Sequence, residues 1–253
     1  MIIQNYLHPG ETMKHRGLST AFVIIIFLSI VQAGHNNDVT TAIDPNQIIE
    51  RLLKGNGRFA EGVGVHPHQD EDTRFKTSHE GQKPMVSILS CSDSRVPLEA
   101  IFDVGIGDLF VVRIAGNIAD RSEIGSLEYG VGHLGTPLLM VIGHTKCGAV
   151  TAVVKGDEVG GNIVCLIDNI KPVVQYIRSQ FKNASEEELI FNSIKANIWQ
   201  SVEDILRYSR EIRELVKDGK IKVIGVLYDI ESGKITNMGV HYRQEQIIRS
   251  VGR

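Results

Sequence analysis

Two short segments of the sequence combine residue types that bind metals. Cys91 begins the run CSDSR, and His144 and Cys147 stand three residues apart in the run HTKC. Thiolate sulfur and imidazole nitrogen are donors that tetrahedral zinc accepts in proteins. A lone cysteine is usually a small buried hydrophobic residue, and a lone histidine is usually structural. All three together favour one shared metal site with Cys91, His144 and Cys147 as ligands.

A three-ligand zinc site has the arrangement of a catalytic site, because one of the four tetrahedral positions stays open for water. Zinc lowers the pKa of water at that position from about 15.7 to roughly 7, so hydroxide can form near neutral pH. Such a nucleophile attacks an electrophilic carbon. We therefore expect one Zn²⁺ per chain in a catalytic site.

Asp93 and Arg95 follow Cys91 at a spacing that suits a side-chain pair. In an extended loop, residues two apart point to the same side, so the carboxylate and the guanidinium can meet. An exposed ion pair of little energetic weight is the alternative. Beside a metal, Arg95 would keep Asp93 ionised, and Asp93 would accept a hydrogen bond from water at the open position. Asp93 and Arg95 are therefore the candidate catalytic residues.

Short apolar runs bounded by turn residues precede both segments and predict the elements that position them. Such runs are typical of strands buried on both faces of a parallel sheet, and helical patterns separate them. The predicted strands are 85–89, 109–114, 138–142, 221–228 and 235–240, the last two joined as a hairpin with Gly233 in the turn, and the predicted helices are 46–60, 123–133, 169–181 and 186–216. These elements predict an α/β fold with a mainly parallel β-sheet core, flanking helices and a C-terminal strand hairpin. Both metal-binding segments then lie at carboxyl ends of strands, where such sheets build their sites.

Three other features are interpreted without catalytic chemistry. His66 and His68 lie in a polar segment after the first helix, which we interpret as a solvated loop although a second metal site is conceivable there. The string at 130–135 fits G-x-G-x-x-G, but it follows a helical pattern and precedes a strand, the reverse of a dinucleotide-binding loop. We interpret its glycines as a closely packed helix exit. Cys165 lies in no metal-binding motif and is interpreted as structural.

The amino-terminal residues 1–33 have the pattern of a signal peptide. Lys14 and Arg16 precede the apolar run at 21–30, and small residues before Gly34 predict cleavage after Ala33. Met13 is an alternative start, and an uncleaved anchor is the alternative interpretation of the run. The mature domain is predicted to be 34–253, periplasmic or secreted, without a stable membrane anchor.

The composition suits one globular domain. The 253 residues are 42% hydrophobic and 23% charged, and the formal net charge of −3 with no basic run excludes nucleic acid as an expected partner. Three cysteines are an odd number and too sparse for a disulfide framework.

The segments CSDSRV and HTKCGAV resemble the signature of the β-class carbonic anhydrases, and the similarity extends from about Pro45 to the carboxyl terminus. The resemblance implies that Cys91, His144 and Cys147 bind zinc and that the Asp93–Arg95 pair orients or gates the metal site. It implies reversible hydration of carbon dioxide to bicarbonate and a proton. It also implies a small-molecule substrate and a homodimer or dimer of dimers.

Further residues resemble the plant-type branch of that family and suggest an exported bacterial form. Gln82 stands where plant-type members have a substrate-binding glutamine. Phe110 and Tyr129 resemble apolar pocket residues, which family dimers place against the partner's metal, although by composition they would be core. Ile114 replaces a frequent asparagine, and Ile88 replaces the tryptophan of a bicarbonate-inhibited branch, whose regulation is therefore not expected here.

Two other functions agree with the same ligands. Relatives that hydrolyse carbon disulfide or related small sulfides use the same zinc donors, so ligand identity does not exclude them. A zinc-stabilised binding module without turnover is the non-enzymatic alternative. The presence of both Asp93 and Arg95 favours an enzyme.

Overall fold

Residues 44–251, which the computed structural model describes, form an α/β fold around one five-stranded sheet. The strands are β1 (Val86–Ser90), β2 (Leu109–Arg113), β3 (Leu138–His144), β4 (Lys222–Tyr228) and β5 (Ile235–Gly239). Their order is β2-β1-β3-β4-β5, and every neighbouring pair is parallel except β4 with β5. The predicted parallel sheet and C-terminal hairpin are confirmed. The predicted leader lies outside the described residues.

Alternation along the strands divides the core into two layers. In β3, Leu138, Met140 and Ile142 pack on one face of the sheet. Leu139 and Val141 pack on the other. All seven residues of β3 are buried, because successive side chains of a strand point to opposite faces and both faces are covered. Burial of each such aliphatic side chain contributes about 2 kcal/mol relative to exposure.

Helices cover the two faces unequally. The helices are α1 (Pro45–Ala60), α2 (Glu71–Glu80), α3 (Leu98–Ile101), α4 (Arg121–Glu128), α5 (Gly148–Lys155), α6 (Ile163–Gln180), α7 (Glu186–Tyr208), α8 (Arg210–Lys217) and α9 (Gln244–Ser250). Buried residues of α1 and α3 join one core layer, and those of α4 to α9 join the other. Within residues 44–251, no helix is both long enough and apolar enough to cross a membrane.

The interpretation of the segment after α1 as a polar loop is wrong from Glu71 onward, where α2 begins. Asp70 caps this helix by accepting a hydrogen bond from the Thr73 N–H at 2.7 Å, and acidic residues fill its first turn. No residue of α2 is buried, so the apolar periodicity that predicts helices is missing from its sequence.

The predicted helix 186–216 is two helices, α7 and α8, which are separated at Ser209. The backbone of Ser209 is extended (φ −95°, ψ 111°) and its Oγ accepts from the Ile212 N–H at 3.0 Å, which caps α8. The same hydroxyl donates to Glu128 Oε1 at 2.6 Å. Continuous apolar spacing across residues 186–216 hid this break. The helix predicted from 169 begins six residues earlier, at Ile163.

The predicted crossover helix 123–133 ends as an α-helix at Glu128 and continues as a π-helical turn over Tyr129–His133. A Cβ atom added at Gly130 would lie 2.2 Å from Ser87 Oγ. The interpretation of these glycines as a closely packed helix exit is confirmed, since the turn leads into β3.

Asn56 on α1 joins three segments that are distant in sequence. Its buried amide donates to the carbonyls of Ile101 and Gly233 at 3.2 and 2.8 Å, and its Oδ1 accepts from the Ile235 N–H at 2.9 Å. Gly233 lies in the turn between β4 and β5. The side chain therefore ties that hairpin to α1 and to the end of α3.

We expect Asn56→Ala to lower the free energy of unfolding by about 3 kcal/mol, because three buried or half-buried backbone groups lose their partner. Chemical denaturation measures this change. Gln47→Ala, at an exposed position of the same helix, is the control and should change the free energy of unfolding by less than about 0.5 kcal/mol. Equal stability of the two variants would contradict the role of Asn56.

Candidate metal centre

The sheet topology creates a crevice where β1 and β3 end. These strands are parallel neighbours, with Ser90 beside Ile142. The chain leaves β1 toward β2 on one side, and it leaves β3 toward β4 on the other. Connections that diverge in this way leave an open crevice at the carboxyl ends of the two strands. Cys91 directly follows β1, and His144 is the last residue of β3.

Cys91, His144 and Cys147 meet in this crevice. One donor atom from each lies within 4.8 Å of the other two, and all three residues are buried. Cys147 is the residue before α5 and takes an extended conformation there. The predicted grouping is present in the structure. Cys165 is exposed near the start of α6 and does not join it.

The imidazole of His144 is oriented to bind a metal through Nε2. Its Nδ1 lies 2.9 Å from the carbonyl oxygen of Thr145, so Nδ1 carries the proton and donates it. Nε2 is buried and has no hydrogen-bonding partner among the described residues. A buried polar nitrogen without a partner is costly, and a metal ligand removes that cost. Two sulfurs and this nitrogen form a donor set that fits zinc.

The pKa values of the two site thiols are shifted in opposite directions. Hydrogen bonding from Cys147 and from the Gly116 N–H outweighs burial and lowers the pKa of Cys91 to about 4. Hydrogen bonding to Cys91, with burial, raises the pKa of Cys147. A metal ion binds both sulfurs as thiolates, so any proton on either sulfur leaves when the ion binds.

Asp93 and Arg95 form the predicted pair at the edge of the crevice. Arg95 Nε and Nη2 donate to Asp93 Oδ1 and Oδ2 at 2.9 and 2.7 Å. These hydrogen bonds hold the pKa of Asp93 well below its usual range. Asp93 Oδ2 lies 3.8 Å from Nε2 of His144. A permanently ionised carboxylate thus borders the metal donors.

Arg113, at the end of β2, supports the loop that carries Cys91 and Asp93. Its Nε donates to the carbonyl of Cys91 at 3.0 Å, and its Nη2 donates to that of Asp93 at 2.6 Å. No motif in the sequence predicts a role for this residue. Its position at the carboxyl end of a strand beside β1 is the signal that could have indicated one.

A 3-10 turn after β2 donates a hydrogen bond to the metal-binding sulfur. The N–H of Gly116 lies 3.3 Å from Cys91 Sγ, and Gly116 has the positive φ of 76° that glycine tolerates. Buried side chains of α7 hold this turn, since Asn197 donates to the Gly116 carbonyl at 2.7 Å and Ser201 donates to the Asn117 carbonyl at 2.8 Å. No local sequence signal identifies contacts between segments so far apart.

The predicted pocket residues lie away from the donors of their own chain. Gln82 is exposed in the loop before β1, at the opposite end of that strand from Cys91. Phe110 pairs with Ser87, about 10 Å before the carboxyl end of β1. Tyr129 is exposed, and its ring centroid lies 5.9 Å from that of Phe110. One chain alone does not bring these residues to its own crevice.

Comparison with known proteins relates the chain to one family. The family model described as "Carbonic anhydrase" matches residues 86–235. The chain is 36% identical over 187 residues to "Carbonic anhydrase 2" of Mycobacterium tuberculosis, and the match covers 72% of this chain and 87% of that protein. It is 32% identical over 188 residues to "Carbonic anhydrase" of Mycolicibacterium smegmatis, covering 73% and 88%.

A solved structure supports the same relation. A tetrameric β-carbonic anhydrase of Sordaria macrospora superposes with a TM-score of 0.61 at 26% sequence identity, and the match covers 77% of this chain and 98% of that one. The region that the family model matches includes the crevice, since it spans β1 to the start of β5.

We expect about one zinc per purified chain, and we expect Cys91→Ala, His144→Ala and Cys147→Ala each to lower the metal content, because a three-donor site cannot lose a ligand without weakening. Elemental analysis of the dialysed proteins measures this. Cys165→Ala is the matched control and should keep its zinc. Full zinc occupancy in any of the first three variants would remove that residue from the ligand set.

Proposed function

Since the chain belongs to the β-class of the carbonic anhydrase family, we propose that it hydrates carbon dioxide reversibly to bicarbonate and a proton at a zinc ion held by Cys91, His144 and Cys147. The observation that carries this proposal is the buried group of two thiols and an imidazole, whose Nε2 lacks a hydrogen-bonding partner within residues 44–251. The ion, when bound, supplies the Lewis acidity that makes water a nucleophile near neutral pH.

Two residues of the chain position the reacting water: Asp93 accepts its hydrogen bond, and Arg95 keeps Asp93 negatively charged. Asp93 accepts a hydrogen bond from that water and thereby aims its oxygen at the substrate carbon. Arg95 binds both oxygens of Asp93, so the carboxylate stays ionised and acts only as an acceptor. The contact of 3.8 Å between Asp93 Oδ2 and His144 Nε2 supports this role, because it places the carboxylate beside the donors.

Carbon dioxide is favoured over carbon disulfide as the substrate. The relatives from M. tuberculosis and M. smegmatis are named carbonic anhydrases, and the chain covers most of each of them. The intact Asp93–Arg95 pair argues against a module that only stores zinc, since such a module has no use for an oriented acceptor.

Substrate binding is proposed to use a second copy of the chain in a homodimer or a dimer of dimers. Gln82, Phe110 and Tyr129 are exposed or half-buried and lie away from their own crevice. These three residues can reach the crevice of a partner only if two copies of the chain pack together through the surface that carries them. The description of the S. macrospora enzymes as tetrameric supports an oligomer.

Export from the cytoplasm is proposed from the leader alone, and the mature enzyme would act in the periplasm or outside the cell. The apolar run at 21–30, the preceding Lys14 and Arg16 and the small residues before Gly34 support this.

We expect amino-terminal sequencing of the protein from a bacterial host with a secretion system to begin near Gly34, because a signal peptidase reads the small residues before it. A variant with Ala33→Leu should keep its leader. Recovery of the unaltered protein only from the cytoplasm, with the leader intact, would contradict export.

We expect Asp93→Asn to keep its zinc and to lose at least about 10²-fold in carbon dioxide hydration, because an amide replaces the charged acceptor that orients the water. Stopped-flow kinetics and metal analysis on the same sample separate turnover from binding. The activity of the unaltered enzyme should rise with pH as the water ionises. Asp93 does not titrate in that range, because its pKa lies far below it.

Asp168→Asn, which removes an exposed carboxylate from α6, is the control and should hydrate at the unaltered rate. Hydration by zinc-loaded Asp93→Asn at the rate of this control across the pH range would show that the Asp93–Arg95 pair is structural.

A further inference from the structure

We propose that Thr145 and Asp229 are positioning residues for the metal ligand His144. Asp229, in the turn between β4 and β5, fixes the Thr145 side chain, and Thr145 presents the carbonyl that orients the imidazole. This inference rests on the proposed function, because it concerns the same metal site.

The carbonyl, the N–H and the hydroxyl of Thr145 all make hydrogen bonds. Its carbonyl accepts from His144 Nδ1 at 2.9 Å, and its N–H donates to the Tyr228 carbonyl at 2.9 Å. Its hydroxyl donates to Asp229 Oδ1 at 2.9 Å and accepts from the Ile230 N–H at 3.1 Å. The residue that orients the imidazole is therefore bound entirely to the end of β4 and to the hairpin turn.

Asp229 is a firm anchor because its own carboxylate is bound within the turn. The Ser232 hydroxyl donates to Oδ2 at 2.6 Å, and the Glu231 N–H lies 3.3 Å from Oδ1. The hydrogen bond from Ser232 lowers the pKa of Asp229, which is therefore charged at neutral pH. Asn56 on α1 holds the other end of the same turn through the Gly233 carbonyl.

The arrangement selects the imidazole tautomer that can bind metal. A fixed carbonyl beside Nδ1 keeps the proton on that nitrogen and leaves the Nε2 lone pair free. If the Thr145 peptide rotates, Nδ1 loses its acceptor, and the ring can turn or carry its proton on Nε2, which cannot then bind the ion. Loss of such an outer partner of a metal-binding histidine typically lowers metal affinity 10–100-fold.

Two substitutions at one position isolate the hydroxyl. Thr145→Val keeps the branched shape and removes the hydrogen bonds to Asp229 and Ile230, whereas Thr145→Ser keeps the hydroxyl. Competition with a chromophoric chelator measures zinc affinity without turnover. We expect Thr145→Val to weaken zinc affinity about 10–100-fold. Thr145→Ser should stay within about threefold of the unaltered protein.

Two controls separate positioning from general stability. Glu231→Gln removes the exposed ion pair with Lys146 from the same turn and should leave zinc affinity unchanged. Ile248→Val, at a buried position of α9, should lower thermal stability without touching the turn and should also leave zinc affinity unchanged. Asp229→Ala is a test variant and not a control. It removes the acceptor of the Thr145 hydroxyl and should weaken zinc affinity as Thr145→Val does.

Zinc affinity of Thr145→Val within twofold of the unaltered protein would overturn the inference, as would an equal loss in Ile248→Val. An unaltered protein that binds zinc tightly but does not hydrate carbon dioxide would contradict the proposed function alone, because this measurement does not use turnover. An unaltered protein that binds no zinc would contradict both.

Discussion

The divergence of the chain at the ends of β1 and β3 is the constraint on which the rest of the site depends. Parallel neighbours end at the same edge of the sheet, and their onward connections here run to opposite sides. The loop after β1 carries Cys91 and Asp93, His144 ends β3, and the loop after β3 carries Cys147. Because the crevice follows from strand order, residues more than fifty positions apart need no long loops to meet.

Because the metal-binding side chains are buried, the polar backbone groups beside them need hydrogen-bonding partners within the protein. Arg113 occupies the carbonyls of Cys91 and Asp93, Gly116 donates to Cys91 Sγ, and Thr145 accepts from His144. These hydrogen bonds engage backbone groups that would otherwise compete for the donors. His144 Nε2 has no hydrogen-bonding partner within residues 44–251, and the donor atoms of His144, Cys91 and Cys147 lie within 4.8 Å of one another. A ligand nitrogen that is left free while its other ring nitrogen is held by a hydrogen bond has the arrangement expected of a metal-binding histidine.

The two layers of the fold support different halves of this surround. On one face, α7 holds the turn at Gly116 with the buried side chains of Asn197 and Ser201. On the other, Asn56 of α1 holds the hairpin turn that contains Asp229. Helices on opposite faces of the sheet thus contact the same crevice through polar side chains. Their apolar side chains stay in two separate core layers, one on each face.

The sequence by itself determined the strands, their parallel arrangement, the C-terminal hairpin and the two segments that carry Cys91, His144 and Cys147, because apolar periodicity and residue type are local properties. The Asp93–Arg95 pair was also predictable, since its members are two residues apart. Helix α2 and the break at Ser209 were not, because capping contacts replace periodicity there. The roles of Arg113, Asn197 and Asp229 were decided only by the tertiary structure. Their partners are distant in sequence, and hydrogen bonds between such segments exist only once the sheet order has brought the strand ends together.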